Sequence, residues 1–401
     1  MGYPSGVMGC DVVSTHVSVA DYAPKDLGVL MRLYYPTERA PPFFKLFRPR
    51  WEPSVSYAAG RAHFLFNFNE RPWWFKLLAK ILYTGQHIAS FETIPASLDA
   101  PPASRGLPVI VFSHGLSGCR NMYSALCTSL AARGYMVAAI EHRDGSASCC
   151  ATVAKDGKLL YQPYVHTDGN FCWRRKQLQQ RVKEVGAVVA AMRAAAPRGA
   201  GAPSNCYPRS GFNPALHLDG FVDCSCLTLI GHSFGGATVI SAAGSLGGVK
   251  RIVLLDPWVE PFGPCPPNQE PGAHPLTASA AAGIPTLAII SDRWGAELHN
   301  LFQKARAPWF LAEVSGTKHQ DFSDLPFRLP VIASMIRMKG TADTQTFFAF
   351  QMSLIQYFFS VVERGTKHLT YKHHEEAEKL IHSFTGQLKV ELRTSHANEL
   401  E

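Results

Sequence analysis

The chain has 401 residues, 46% of them hydrophobic and 17% charged, with a formal net charge of +8. That apolar share excludes a disordered chain and is enough for a large core. The positive charge is scattered rather than drawn into a stripe with interleaved aromatics, which argues against a nucleic-acid surface. Its densest run, Arg174-Arg175-Lys176 with Arg181 and Lys183, reads as the solvated face of a helix.

The opening residues Met1-Gly2-Tyr3-Pro4-Ser5-Gly6 show neither the charged nor the apolar region of a secretory leader. Position 6 is Gly6, where a myristoylation signal needs Ser or Thr. No apolar run reaches the roughly 18 residues of a membrane span. The expectation is a soluble, cytoplasmic chain that can touch membranes only peripherally. Ten cysteines without a paired C-x-x-C predict reduced thiols. Cys149, Cys150, Cys206 and Cys265 are where disulfides would sit otherwise.

In chain order, Asp11–Ala20 and Gly28–Tyr35 alternate and predict an antiparallel sheet edge. Pro72–Leu82 is helical in pattern, with Trp74, Leu77, Leu78, Ile81 and Leu82 on one stripe and Lys76 and Lys80 off it. Such a stripe either packs on the core or lies in a lipid interface. Pro108–Phe112 reads as a buried strand ending at Ser113-His114-Gly115, and Asn121–Arg133 as a helix closed by Gly134. Tyr135–Ile140 is a strand, and Lys176–Ala195 a helix stopped by Pro197. Cys224–Ile230 is a strand and Phe234–Gly244 a helix of small residues. The strands Arg251–Leu255, Thr286–Ile290 and Trp309–Val314 end at Asp256, at Ser291-Asp292 and near His319.

This alternation predicts an α/β fold with a mostly parallel sheet and helices on both faces. One domain over 1–401 is expected, with surface insertions at about 197–214 and 257–275 and a polar tail at about 385–401. Both insertions are too rich in Pro, Gly and polar residues to join a ladder.

Gly231-His232-Ser233-Phe234-Gly235 stands between a strand and a helix, the context of the G-x-S-x-G nucleophile elbow of α/β-hydrolases. The flanking glycines leave room for a sharp turn that lifts the Ser233 hydroxyl to a helix N-terminus. The chain order of that fold is Ser, acid, His. His319 alone among the later histidines directly follows a strand on a short loop. For the acid, Asp256 and Asp292 each end a strand, and pattern does not choose between them.

Phe112-Ser113-His114-Gly115-Leu116, Tyr123-Ser124-Ala125 and Glu141-His142-Arg143-Asp144-Gly145-Ser146-Ala147 resemble the platelet-activating-factor acetylhydrolases, a calcium-independent phospholipase A2 group. Gly231–Val239, Leu255-Asp256-Pro257-Trp258 and Gly316–Phe322 continue the resemblance in the same order. It covers roughly residues 7 to 340 and implies an α/β-hydrolase fold with Ser233, Asp256 and His319 as catalytic residues. It also implies N–H donors from Phe234 and Leu116 to an oxyanion, no metal or organic cofactor, and a phospholipid substrate with a short sn-2 acyl group. The α/β-hydrolase plan supports the same two donors.

Trp73, Trp74, Leu77 and Leu78 align with a segment that such enzymes use to dock on membranes or lipid particles, and Ile332–Met338 does so more loosely. The chain departs from the usual Leu-Asp-Ala-Trp by carrying Pro257 after the acid, which bears on the pocket wall. A carboxylesterase or thioesterase acting on soluble esters is the alternative.

Overall fold

The computed structural model describes residues 16–22, 29–90, 92–153, 159–167, 171–195, 220–262, 283–292, 298, 302, 309–335, 337–365 and 371–395. They fall into two compact units, one within Val12–Ser225 and the other within Cys226–Glu401.

The first unit carries β1 (His16–Tyr22), β2 (Met31–Thr37), α1 (Val55–Phe66), α2 (Trp73–Ser90), β3 (Ser97–Leu98), β4 (Leu107–Ser113), α3 (Ser124–Ala131), β5 (Met136–Ile140), β6 (Cys149–Val153), β7 (Leu159–Pro163) and α4 (Phe171–Ala194). Its strands run in the order β3-β1-β2-β5-β4. β1 and β2 form the antiparallel edge that their alternation predicts, and β4 and β5 pair in parallel. Val109, Ile110, Val111 and Phe112 of β4 and every residue of β5 are buried, as expected of strands covered on both sides. α3 packs on β2 and β5, and α4 on β4 and β5.

One expectation fails in this unit. Arg174 and Arg181 do not lie on a solvated face, since both are buried. The Arg181 guanidinium pairs with Asp144 at 2.9 Å and donates to the His114 carbonyl at 2.7 Å. A buried cation needs such partners, and they come from distant loops that helix periodicity does not register. The α2 stripe, by contrast, faces outward rather than onto the core: Trp74 is 56% exposed and Leu77, Leu78, Ile81 and Leu82 lie between 49% and 61%. Among the described side chains of α2, Ala79 is the buried one. No helix among the described residues is long and apolar enough to cross a membrane.

The second unit holds β8 (Val222–His232) from Cys226 onward, α5 (Phe234–Ser245), β9 (Val249–Leu255), β10 (Thr286–Ser291), β11 (Trp309–Val314), α6 (Leu325–Arg328), α7 (Pro330–Met335), α8 (Thr344–Glu363), α9 (Tyr371–His382) and β12 (Val390–Thr394). Strands β8 to β11 are parallel neighbours in chain order, and β12 adds antiparallel to β11. The described strands and helices of both units thus form a mostly parallel α/β architecture.

α8 packs on β9 and β10 and buries Phe347, Phe350, Leu354, Ile355 and Phe358. Its N-terminus is capped by Asp343, which accepts the Thr346 N–H at 2.9 Å. Near its C-terminus, Arg251 of β9 lies 3.7 Å from the Phe359 ring centre and donates to Glu363 at 2.7 Å.

The expected polar tail is corrected at residues 390–394. Val390-Glu391-Leu392-Arg393-Thr394 alternates and completes the ladder along β11, which would otherwise be left as an open edge. Most of both expected insertions lies outside the described residues, as do Cys206 and Cys265. Cys149 and Cys150 are buried free thiols.

Candidate active site

β8 ends at His232, and α5 begins at Phe234. Ser233 between them has φ 56° and ψ −121°, a left-handed conformation that costs about 1–3 kcal/mol for a side-chain-bearing residue. Surrounding bonds hold it there. Its N–H donates to the Leu255 carbonyl at 3.0 Å, and its carbonyl accepts the N–H groups of Gly236 and Trp258, each at 2.9 Å. The glycines are required sterically: a Cβ on Gly231 would stand 2.2 Å from the Gly235 carbonyl oxygen, and one on Gly236 would stand 2.5 Å from Pro257 Cβ. The wall after the acid therefore presses directly on the elbow.

Asp256 follows β9 and is also left-handed, at φ 42°. Its N–H donates to Ile289 of β10 at 2.8 Å, and its side chain is fully buried. A buried carboxylate must have donors. Ser291 provides its N–H to Oδ1 at 2.8 Å and shares its hydroxyl between Oδ1 at 2.9 Å and Oδ2 at 3.1 Å, the oxygen that His319 also reaches.

His319 brings the three residues into one chain of hydrogen bonds. Its Nδ1–H donates to Asp256 Oδ2 at 2.6 Å, and its Nε2 accepts from the Ser233 hydroxyl at 2.7 Å. This tautomer is the one that lets the imidazole take a proton from serine. The loop is clamped from two sides. His232 Nε2–H donates to the His319 carbonyl at 3.0 Å, and Asp321 Oδ2 accepts the N–H groups of Lys318 and Gly340, each at 2.8 Å. Burial pushes the Asp321 carboxyl up despite those donors. A cleft of about 570 Å³ opens beside His319, lined in part by Lys318, Arg337 and Met338.

Asp292, the other acid candidate, does not join this group. Its Oδ2 accepts the Gly316 N–H at 3.0 Å and so braces the loop leading to His319. Phe234 opens α5, with its ring 5.5 Å from that of Trp258. Leu116 lies in the first unit, in the turn after β4, and Trp73, Trp74, Leu77 and Leu78 lie exposed on α2 of that unit. Among the described residues no group of His, Cys, Asp or Glu could hold a metal ion. Sequence reasoning missed Ser291 and Asp321 as supports. Asp321 had a visible signal, an acid three residues beyond the start of a helical turn; Ser291 had none.

A family model described as "Platelet-activating factor acetylhydrolase, isoform II" matches residues 7–360. The platelet-activating factor acetylhydrolase of Gallus gallus is 28% identical over 344 residues, covering 79% of this chain and 74% of the relative. That of Canis lupus familiaris is 29% identical, covering 81% and 69%. A putative phospholipase A2 of Schizosaccharomyces pombe is 31% identical over 327 residues, covering 68% and 70%. Among solved structures, a ferulic acid esterase from Streptomyces cinnamoneus superposes with a TM-score of 0.54 at 18% identity, covering 92% of this chain and 97% of that one. At that identity the likeness speaks for the fold alone, which is of α/β-hydrolase type. The chain belongs to the platelet-activating factor acetylhydrolase, isoform II, family.

Proposed function

We propose that the chain is a serine esterase that removes the short sn-2 acyl group of platelet-activating factor and of oxidatively truncated phospholipids. The observation that carries this reading is His319 bridging Ser233 and Asp256 at 2.7 and 2.6 Å. His319 takes the Ser233 proton as Oγ attacks the ester carbonyl, and Asp256 stabilises the imidazolium that forms. The N–H groups of Phe234, at the N-terminus of α5, and of Leu116 receive the oxyanion. His319 then protonates the departing glycerol oxygen. In the second half, His319 activates a water that attacks the acyl-serine, and the carboxylic acid leaves. Every proton in the cycle moves through His319, so the chemistry calls for no metal or organic cofactor.

A substrate of this kind resides in a lipid surface, and α2 presents a face suited to one. Trp73 is 75% exposed beside the outward-facing Trp74, Leu77 and Leu78, more apolar surface than a helix in water ordinarily leaves uncovered. A second apolar cluster in the same unit, Phe43, Phe44, Leu46 and Phe47, is at least 65% exposed at each residue. It is flanked by Lys45 and Arg48, which suit anionic lipid. Free thiols at Cys119, Cys149 and Cys150 fit a reducing, cytoplasmic setting.

The test compares hydrolysis of acetyl and long-chain phosphatidylcholine in vesicles by the wild type and Ser233→Ala, with p-nitrophenyl acetate as a soluble ester. Selective, Ser233-dependent release of acetate from the phospholipid is expected. Full activity in Ser233→Ala would end the esterase reading, and equal use of soluble and vesicle-bound esters would favour a general carboxylesterase.

A further inference from the structure

The turn after β4 runs through His114, Gly115, Leu116, Ser117 and Gly118. Three of its backbone donors are occupied. The Gly115 N–H donates to the Tyr123 hydroxyl at 3.1 Å, the Ser117 N–H to the Ser146 carbonyl at 2.7 Å, and the Gly118 N–H to the Gly115 carbonyl at 3.1 Å. The Leu116 N–H donates to no acceptor among the described residues. Leu116 is half-buried, so an N–H there with no protein acceptor is open to a ligand.

The direction of that N–H is set one atom group away. The peptide joining Gly115 to Leu116 is trans and planar, so its N–H points opposite to the Gly115 carbonyl. Two donors pin that carbonyl, the Gly118 N–H and the imidazole of His114, whose Nδ1 lies 2.7 Å away. His114 can donate there because its other nitrogen is an acceptor: Nε2 takes the His142 N–H at 3.2 Å. The ring is fully buried, and burial first, then the nearby Arg181 guanidinium and His142, push its pKa well below the usual histidine range. It is therefore neutral, with its single proton on Nδ1. The approach of Arg181 Nη2 to that nitrogen, at 3.4 Å, is the longer and weaker of its contacts with His114, since Nη1 donates to the His114 carbonyl at 2.7 Å.

His142 is itself fixed by a buried relay. Ser113 donates to its Nε2 at 2.8 Å, and its Nδ1–H donates to Glu184 at 2.8 Å. All three side chains are buried, which excludes them from acting on substrate. Ser117 at φ 60° supplies the left-handed third position of the turn. Gly118 leaves space for the ring: a Cβ there would stand 3.2 Å from His114 Nδ1 and 3.1 Å from the Gly115 oxygen.

The geometry points to His114 as a positioning residue that aims the Leu116 N–H, with Ser113, His142 and Glu184 holding His114 in the required tautomer and place. This rests on the reading of the Leu116 N–H as one of the two oxyanion donors. His114 touches no reacting atom and acts through one peptide plane. Its loss should be felt in the step where negative charge develops and not in ground-state binding.

The experiment measures kcat and KM on p-nitrophenyl acetate for the full chain and for His114→Ala, His114→Asn and His114→Gln. The Asn amide nitrogen falls where Nδ1 stood, whereas the Gln nitrogen falls where Nε2 stood. His114→Ala should lose about 10²-fold in kcat, with KM changed less than about threefold. His114→Asn should recover at least about tenfold of that loss, and His114→Gln should not. The Asn and Gln pair keeps the test decisive even where the Ala variant fails to fold. Equal activity of the Asn and Gln variants, or wild-type kcat in His114→Ala, would overturn the proposal. Ser233→Ala in the same assay separates the two readings: if it stays fully active, the esterase reading itself fails, whatever His114 does.

Discussion

Ser291 holds Asp256 through its N–H, 2.8 Å from Oδ1, and its hydroxyl, 2.9 Å from Oδ1 and 3.1 Å from Oδ2, and Oδ2 faces His319. The N–H comes from the backbone at the end of β10 and survives any substitution except proline. Ser291→Ala should therefore weaken the orientation of Asp256 without abolishing it. A fall of about tenfold in kcat is expected, equivalent to about 1.4 kcal/mol in the barrier, with KM nearly unchanged. Steady-state kinetics on a soluble acetyl ester checks this, and an unchanged kcat would mean that the backbone donor suffices alone.

Asp256 and Asp292 offer a sharper contrast. Asp256→Asn keeps the shape but tends to reverse the His319 tautomer, and kcat should fall by about 10⁴-fold. Asp292→Asn removes the charge but keeps an oxygen that can accept the Gly316 N–H, and less than about a tenfold effect is expected. The reverse order of severity would transfer the role of acid to Asp292.

That contrast also marks how far the residues could be read without coordinates. The strands from β8 to β11 were legible because each is a short apolar run with a turn or helix signal on either side. The elbow was legible because its glycines answer a steric demand that is local in sequence. The two acids were not separable, since they end neighbouring parallel strands with the same pattern; only the hydrogen-bond partners distinguish them. The buried relay of Ser113, His142 and Glu184 left no trace either. Its members lie 29 and 42 residues apart, and a buried Glu in α4 looks like any polar helix residue until its partner is known. Arg181 was misread for the same reason.

Burial of charge has a consequence for acid stability. In His114 and His142 burial, reinforced by Arg181, pushes both pKa values well below the usual range near 6.5. As pH falls below about 6.5, the unfolded chain takes up protons that the folded rings refuse, so stability declines. The decline is at most about 1.4 kcal/mol per pH unit for each ring. Asp21 adds a second window. Burial raises its carboxyl, but Arg120 and Arg32 outweigh that and hold it far below the carboxylate range. Its contribution is complete above about pH 4 and is lost as pH falls further. Urea unfolding between about pH 7 and pH 3 should show both declines, and Asp21→Asn should remove most of the lower one. A flat unfolding midpoint between about pH 7 and pH 5 would mean that the folded rings take up protons freely.

The exposed face of α2 makes the remaining prediction. Leu77 and Leu78 are each about half exposed, 51% and 49%, so replacing them by serine removes little folded-state packing. Each leucine that enters a lipid interface contributes up to about 1.5–3 kcal/mol. With half of each side chain still to be buried, Leu77→Ser with Leu78→Ser should lower partition onto anionic vesicles by about 10- to 10²-fold in a sedimentation assay. Phe43→Ser with Phe47→Ser should lower it independently if the second cluster also inserts. Turnover of p-nitrophenyl acetate should stay within about twofold of wild type in both double variants, because none of the four residues belongs to the chain of bonds through His319. Activity on vesicle-bound phospholipid should fall in step with partition. Unchanged partition in both variants would leave these faces without a role in lipid contact, and a parallel loss on the soluble ester would trace the defect to folding rather than to docking.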